Sequence, residues 1–379
     1  MYKKYKNDAM YKYLIILVVA ATAGLQGWRT LFNNFAVDNI GISGVQVGIV
    51  QSVREIPGFL SLLVIFVLLF IKEHKLSAFS IIIMGVGVFM TGLWPSYTGL
   101  IVTTFIMSLG FHYFETTNKS LTLQYFNKTE SPLIFARQKS LSSVANIAVG
   151  IFVWFLDYIL PIEYNYLVIG TLILLAGIYC MYQNPIEKEI PVQNKKMVLK
   201  KEYWLFYILN LLSGARRQIF VVFAVFMLVQ KYEFSVKEVT ALFIINNIIG
   251  YFVSPLIGKA INKFGEKIVL SVEYIAIFLI FAGYAFIENR TAVAGLYILD
   301  HIFFGCSMGI STFFQKMAKK EDIAPSMAVG FTINHISAVV IPTIGGLLWM
   351  LNWRVPFIFG MFLSIISLFF TQKIKGLSK

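Results

Sequence analysis

The stretch Arg29-Thr-Leu-Phe-Asn-Asn-Phe-Ala-Val37 occurs again, in altered form, as Arg217-Gln-Ile-Phe-Val-Val-Phe-Ala-Val225, 188 residues further along the chain. Beyond it, Ser43 corresponds to Ser235 at a shift of 192, so the second copy has a connection four residues longer. A repeat of about half of 379 residues, set in apolar segments, predicts a membrane body of two similar halves. Each copy also places an arginine inside an apolar helix.

The composition is that of an integral membrane protein. The chain is 58% hydrophobic and 13% charged, with a mean hydropathy of +0.74, outside the range of soluble domains. We therefore expect an all-α membrane protein with twelve transmembrane helices in two pseudo-symmetric six-helix bundles. The predicted spans are 12–35, 45–70, 76–93, 98–119, 135–157, 165–182, 203–230, 238–258, 268–287, 292–315, 326–350 and 353–372. Span 1 is too long for a signal peptide, so we expect it in the mature protein.

The net charge of +13 is a signal of topology. Of 32 Lys and Arg residues, 23 lie before span 1, in segments an even number of spans later, or at the adjoining span ends, and only four lie in or beside the opposite set. Basic residues concentrate on the cytoplasmic side, so both termini are predicted to be cytoplasmic. A nucleic-acid partner is not expected, because it would require a basic face on a soluble domain.

One polar connection divides the chain. Residues 183–202 are basic and contain two prolines, so they predict a cytoplasmic linker between an N-terminal six-helix bundle, 1–182, and a C-terminal one, 203–379. Cys180 and Cys306 both fall inside spans, and no disulfide framework is implied.

A short motif connects this architecture with a known family. Between spans 8 and 9 the chain contains Gly258-Lys-Ala-Ile-Asn262-Lys-Phe-Gly265-Glu-Lys267, a glycine, an amide four later, a second glycine and then a basic residue. With the twelve spans and two halves, it resembles the loop signature of the major facilitator superfamily. The matching loop, Ile71-Lys-Glu-His-Lys75, lacks both glycines. The resemblance implies a transporter that works by alternating access rather than an enzyme, and a gating role for the polar and glycine positions of the motif.

Polar side chains recur at helical spacing within several spans. In this family spans 1, 4, 7 and 10 line the central cavity, and we expect charges there to face it, because burial at mid-helix costs about 2.5–3.5 kcal/mol. Span 4 contains a stripe ending in Glu115 and Lys119, and span 10 contains Asp300. The substrate-binding candidates from spans 1, 2 and 7 are Arg29, Arg217, Gln26, Asn33, Arg54, Arg216 and Asn210.

Several of these residues have a purely structural alternative. Arg54 and Glu55 are adjacent, about 100° apart on a helix, so we expect them not to pair well with each other. Lys119, with Arg137 at the start of span 5, is predicted to have a gating or structural role. An intramembrane histidine such as His335 can carry protons or bond helices together. His112 and Glu115, three residues apart, could ligate a metal, but two residues are a weak signal.

The buried charges favour an anionic solute. Four arginines lie within spans against few carboxylates, and guanidinium groups suit carboxylate or phosphate. We therefore expect Arg29 and Arg217 to face each other across the cavity and hold the anionic group. Buried acids favour the neutral form, so the proton-coupling candidates are Glu55, Glu115, His335 and Asp300.

The expected function is secondary active transport of a small solute, proton-coupled and for an organic anion. The alternative is a proton-driven multidrug efflux pump, with the many phenylalanines lining an apolar pocket. The expected partners are the solute, protons and the lipid bilayer. No cofactor, no metal and a monomer are expected, in a bacterial plasma (inner) membrane. Motifs of intramembrane enzymes are not found in the sequence.

Overall fold

The structure, a computed structural model, describes residues 5, 7–186, 191–194 and 196–374. Within these ranges the regular structure is helical. Ten helical segments are long and apolar enough to cross a membrane, the last of them ending at Met317. The helices Ile323–Leu351 and Val355–Thr371 follow, so the described chain has twelve apolar helical segments, as predicted.

We number these segments α1 to α12 in chain order. In the first half they are α1 Ala9–Asn34, α2 Gly44–Phe59, α3 Glu73–Leu93, α4 Tyr97–Tyr125, α5 Ser131–Ile159 and α6 Ile162–Tyr182. In the second half they are α7 Trp204–Gln218 continued by Val225–Gln230, α8 Val236–Phe264, α9 Glu266–Phe286, α10 Arg290–Phe304 continued by Met308–Met317, α11 Ile323–Leu351 and α12 Val355–Thr371.

Matching helix starts support the internal repeat. Ser43 begins α2 with a capping box, in which its side chain accepts from the N–H of Gln46 while the Gln46 side chain accepts from the Ser43 N–H. Ser235 begins α8 with the same reciprocal bonds to Glu238. A capping box satisfies two backbone donors that a helix start leaves free. The internal repeat is therefore present in the hydrogen bonds at the helix starts as well as in the amino-acid sequence.

A π turn follows the repeated arginine in both halves. In the first half it covers Phe35–Asn39, directly after α1. In the second half it covers Ile219–Ala224, between the two parts of α7. π turns insert a residue into a helix and are common at functional sites. The two turns overlap, without coinciding, when the repeats are aligned.

The residues group into two compact units. The first unit comprises Met1–Tyr125, Leu141–Val198 and Lys320–Thr332; the second comprises Phe126–Ser140, Leu199–Lys319 and Ile333–Lys379. The predicted bundle boundaries, 182 and 203, stay a prediction. So does the cytoplasmic exposure of the whole linker, since 187–190 and 195 lie outside the described residues, as does the C-terminus beyond 374.

Glycines set the tight helix packing inside the first unit. At Gly85, a Cβ would lie 2.8 Å from the backbone nitrogen of Leu174, and Gly170 approaches the backbone of Phe89 in the same way. These contacts bring α3 and α6 together with almost no side chain between them. Close approach through small residues is the usual way for membrane helices to gain packing contacts.

Part of the linker is held against the start of α11 within the first unit. The Asn194 side chain donates to Asp322, at 2.5 Å, and its backbone N–H donates to the Glu321 carbonyl, at 2.7 Å. Gln193 Oε1 accepts from the Ala324 N–H at 2.9 Å. The amide side chain thereby satisfies a donor of the first turn of α11.

Candidate functional site

The second unit contains three charged side chains buried on three different helices. Arg216 from α7, Glu273 from α9 and Asp300 from α10 line one narrow crevice and are each at most 3% exposed. We call these three residues the charge cluster. Arg216 Nη1 lies 3.8 Å from Glu273 Oε1, and the guanidinium stands over the ring of Tyr274 with its Cζ 4.0 Å from the centroid.

Several polar atoms of the charge cluster have no hydrogen-bond partner among the described residues. They are Arg216 Nη1, Glu273 Oε2 and Asp300 Oδ2. Arg216 Nε does donate, to the Leu212 carbonyl at 3.3 Å. Buried polar atoms are normally bonded, so unsatisfied ones at a charged site indicate a ligand or a changing protonation state.

Glu273 is not among the residues predicted from the sequence, because it is a lone carboxylate in the apolar stretch Val269–Ile277. Its signal was a charge at mid-span, which by itself marks a functional site in a membrane helix. Asp300, a predicted proton-coupling residue, lies beside it. Arg216, a predicted substrate ligand, has its charge directed at Glu273 instead of open space. Its predicted substrate contact stays a prediction.

The first unit contains a second polar cluster, and it corrects one expectation. Arg54 Nη2 lies 2.7 Å from Glu55 Oε1, so the two neighbours do pair, and the expectation that they would not was wrong. Their Cα–Cβ bonds diverge by about 100°. The long arginine side chain closes that gap and turns back to the carboxylate. Both side chains remain partly accessible, at 19% and 25%.

α4 is hydrogen-bonded to α2 at this pair. The Ser108 hydroxyl donates to the carbonyl of Arg54, and it lies 2.9 Å from Nδ1 of His112 one turn later. Glu115 is half-buried further along α4. Lys119 Nζ lies 4.6 Å from the ring centroid of Phe331, so the two side chains form a cation–π contact.

α1 has one packed side and one accessible side. Trp28 is fully buried, and at Gly24 a Cβ would lie 2.7 Å from Met84 of α3. On the other side, Gln26 is half-buried, and Arg29 and Asn33 are exposed. The predicted substrate-binding residues of span 1 are therefore on the side of α1 that does not pack into its own unit.

In the second unit, contacts with α11 set the rotation of α7 about its own axis. Asn334 Nδ2 donates to the carbonyl of Asn210 at 3.0 Å, and at Gly214 a Cβ would clash with the Asn334 carbonyl. This contact turns Arg216 towards α9. Arg217, the next residue, is half-buried, whereas Arg216 is buried. The predicted proton-coupling residue His335 is buried on α11.

The glycine motif contacts the start of α5 within the second unit. Asn262 Nδ2 donates to the Thr129 carbonyl at 2.6 Å. At Gly258 a Cβ would lie 2.6 Å from the Pro132 carbonyl, so only glycine permits this helix approach. Gly265 has φ +81°, in the left-handed region, and Lys267 follows in the first turn of α9. Arg137, the other predicted gating residue, lies on α5.

The comparisons with known proteins agree with this architecture. The sequence profile of the Major Facilitator Superfamily matches residues 14–322, most of the chain. The chain belongs to the Major Facilitator Superfamily. It is therefore a multi-pass membrane transporter of small molecules and not an enzyme, as the sequence predicted.

Solved transporters share the fold over nearly the whole length. The E. coli fucose:proton symporter superposes with a TM-score of 0.76 at 11% identity, covering 96% of this chain and 98% of that one. A bacterial homologue of the iron transporter ferroportin gives 0.76 at 10% identity, covering 96% and 98%. The human organic anion transporter TETRAN gives 0.72 at 11%, covering 96% and 99%. Identities this low show a shared fold alone.

One sequence relative matches over part of the chain. An uncharacterised MFS-type transporter of Methanocaldococcus jannaschii is 25% identical over 143 residues, which is 38% of this chain. The match spans 36% of that protein, about a third of its length. It supports the family and names no solute.

Proposed function

We propose that this transporter moves a small organic anion by alternating access, that a proton gradient drives it, and that Arg29 and Arg217 bind the anionic group. The observation that carries the proposal is the repeat itself. Both arginines occupy the same position in their copy, and a π turn follows each. A charge retained at both positions of a duplicated membrane helix is costly, so it marks a ligand site.

The neighbours of Arg29 suit an anionic solute. Gln26 and Asn33 lie on the accessible side of α1 with it and supply amide donors about one turn away on either side. A guanidinium fork can bind two oxygens of a carboxylate or phosphate at once. Human TETRAN, which shares this fold, is described as an organic anion transporter, and the E. coli relative as a proton symporter. These descriptions support the proposal only as precedents.

The proposed setting follows from charge distribution and composition. We place both termini in the cytoplasm, because basic residues concentrate in the segments on that predicted side. A bacterial plasma membrane and a monomeric state belong to the same proposal. The gating role of Gly258, Asn262, Gly265 and Lys267 belongs to the same proposal, and the contact of Asn262 with Thr129 supports it.

A thermal-shift screen of the purified protein tests the solute class. The probes are citrate, succinate and benzoate as anions, glucose as a neutral solute, and tetraphenylphosphonium as a lipophilic cation. We expect only anions to raise the melting temperature. A shift with tetraphenylphosphonium and none with the anions would reject the proposal in favour of multidrug efflux.

Arg217→Lys tests the arginine site. Lysine keeps the charge but loses the bidentate fork, and one charge-assisted hydrogen bond of roughly 1.5 kcal/mol corresponds to about a tenfold rise in Kd. Arg290→Lys is the matched control, because Arg290 pairs with Glu238 at the ends of α10 and α8. Equal anion affinities for Arg217→Lys and the control would remove Arg217 from the site.

A further inference from the structure

We infer that Glu273 and Asp300 share one bound proton beside Arg216, and that this is the proton exchanged during transport. The second part rests on the proton-coupled function proposed above. The first part is a property of the charge cluster alone. Glu273 belongs to none of the residue sets that the sequence analysis singled out, and Arg216 becomes part of a proton site instead of a solute site.

The charges of the cluster do not balance. One guanidinium faces two carboxylates in one crevice, so the fully ionised cluster has a net charge of −1. Each of the three side chains is at least 97% buried. An uncompensated charge is strongly disfavoured at such a site, and binding a cation removes it.

The shape of the crevice selects the proton among the available cations. Its walls include Phe220, Ile277, Phe281 and Phe304, and it is too narrow to hold a water molecule. A sodium or larger cation needs several oxygen ligands around it. Besides the two carboxylates, the side chains that line the crevice offer one oxygen, the Ser213 hydroxyl, and the other walls supply carbon. A proton needs only one carboxylate oxygen, and Glu273 Oε2 and Asp300 Oδ2 both lack a hydrogen-bond partner within the described chain.

The other groups around the two carboxylates do not change the net charge of the cluster. The phenol groups of Tyr274, Tyr284 and Tyr297 and the thiol of Cys306 surround them as neutral side chains. α12, which packs on α9, has no titratable residue in its sequence.

Two titratable residues are next to the cluster in the chain, Arg217 after Arg216 and His301 after Asp300, and both are half-buried. The other charged residues of these helices and of α8 lie further along their elements. On α9, Glu266 is paired with Lys316 of α10 at 2.7 Å. On α8, which packs against α9 and α10, the charged residues belong to its first turn and its last two turns, and Asn246 between them is buried and neutral.

The position of the charge cluster on α7 can couple protonation to a change in conformation. Arg216 lies at the end of the first part of α7, one turn before the π turn at Ile219–Ala224, and Arg217 follows it directly. Protonation of the acids releases Arg216 from one counter-charge. Since Arg216 and Arg217 share one helical turn, a change in the partner of Arg216 acts on the backbone that positions the proposed anion ligand.

Infrared titration of the purified protein tests the bound proton without any solute. We expect the carbonyl band of a buried carboxylic acid at neutral pH, slow to shift in D2O. Glu273→Gln and Asp300→Asn should each abolish it, because removing either acid leaves one carboxylate balanced by Arg216. Glu266→Gln is the matched control on α9 and should keep the band, because Glu266 has its own counter-charge in Lys316. Absence of the band in the unaltered protein, or its survival in both variants, overturns the inference.

Proteoliposomes containing a pH-sensitive dye test the role in transport. The probe is whichever of citrate, succinate and benzoate gives the largest thermal shift. We expect Glu273→Gln to exchange this anion across the membrane but to lose the accompanying proton movement. Proton movement that persists in Glu273→Gln overturns the role. If proton movement is absent in the unaltered protein, the proposed coupling itself is contradicted. The infrared band still decides whether the cluster holds a proton.

Discussion

Arg216 and Arg217 are neighbours in the chain but differ in burial. Successive residues on a helix point about 100° apart. Arg216 therefore reaches α9 and stands over Tyr274, while Arg217 is only half-buried. The sequence alone shows two adjacent charges and no sign of which one is turned inward. That distinction depends on the rotation of α7, which Asn334 of α11 helps to set.

We expect Arg216→Leu to destabilise the second unit. Removing one partner of a buried ion pair leaves an uncompensated charge and costs about 3–5 kcal/mol. Thermal unfolding in detergent measures the loss. Arg290→Leu, which breaks the accessible pair with Glu238, should cost far less. Equal losses in the two variants would show that the charge cluster has no special role in stability.

Single residues show where sequence reasoning is weakest. The Arg54–Glu55 pair was not foreseen, because a helical wheel describes Cα–Cβ directions and not the reach of a long side chain. Glu273 was not predicted, because it stands alone and belongs to no series of polar residues at helical spacing. The partners of Glu273 come from α7 and α10, and no pattern within α9 points to them.

At the element scale, helix patterns were more predictable than contacts. The apolar runs predicted the twelve spans, and the two copies of the repeat have the same capping box at Ser43 and Ser235. The π turns were not predicted. They follow from local shifts of backbone hydrogen bonds, which hydrophobic periodicity does not report.

We expect Gly258→Ala to push α8 away from the start of α5. The new Cβ would lie 2.6 Å from the Pro132 carbonyl, and overpacking of this kind costs about 1–3 kcal/mol. The melting temperature in detergent should fall. Gly295→Ala on α10 is the control, because nothing lies within 4 Å of its Cβ position. A melting temperature unchanged in both would show that the motif does not depend on close approach.

Glu288, in the connection between α9 and α10, predicts a pH dependence. The charge and hydrogen bond of Lys231, followed by Arg354, lower the pKa of its carboxyl; their nitrogens lie 3.4 Å and 2.6 Å from Oε1. A lowered folded-state pKa contributes stability above the unfolded-state pKa, and this contribution is lost as pH falls through the folded-state pKa.

Glu288→Gln should therefore be less stable than the unaltered protein at neutral pH and equal to it in strong acid. Melting temperatures across this pH range measure the difference. The double variant Lys231→Gln with Arg354→Gln should lose the same pH dependence, because it removes the cations that bind Glu288. A difference between Glu288→Gln and the unaltered protein that does not change with pH would contradict the assignment.

At the scale of the whole molecule, class and family could be predicted from the sequence. Composition, spans, the repeat and the motif at Gly258 all indicated a major facilitator fold, and the match over residues 14–322 confirms it. The solute could not be predicted, since it depends on side chains from separate helices. Arg54 and Arg216 are paired with carboxylates, so the sign of the buried charge alone selects no solute.

Topology is a further whole-molecule prediction, since 23 basic residues lie on one predicted side and four on the other. Alkaline phosphatase, active only outside the cytoplasm, should be inactive when fused after Lys379. The same enzyme inserted beside Glu288, in a predicted external connection, should be active. The reverse pattern would invert the topology.

The charge cluster also has a consequence for biogenesis. Membrane helices leave the ribosome in chain order, so α7 arrives with Arg216 before either acid exists. At about 5–20 residues per second, Glu273 is polymerised roughly 3–11 s later. During this interval an isolated arginine costs about 2.5–3.5 kcal/mol in the bilayer centre. α7 is therefore expected to wait at the translocon or against a chaperone until α9 and α10 arrive to neutralise it.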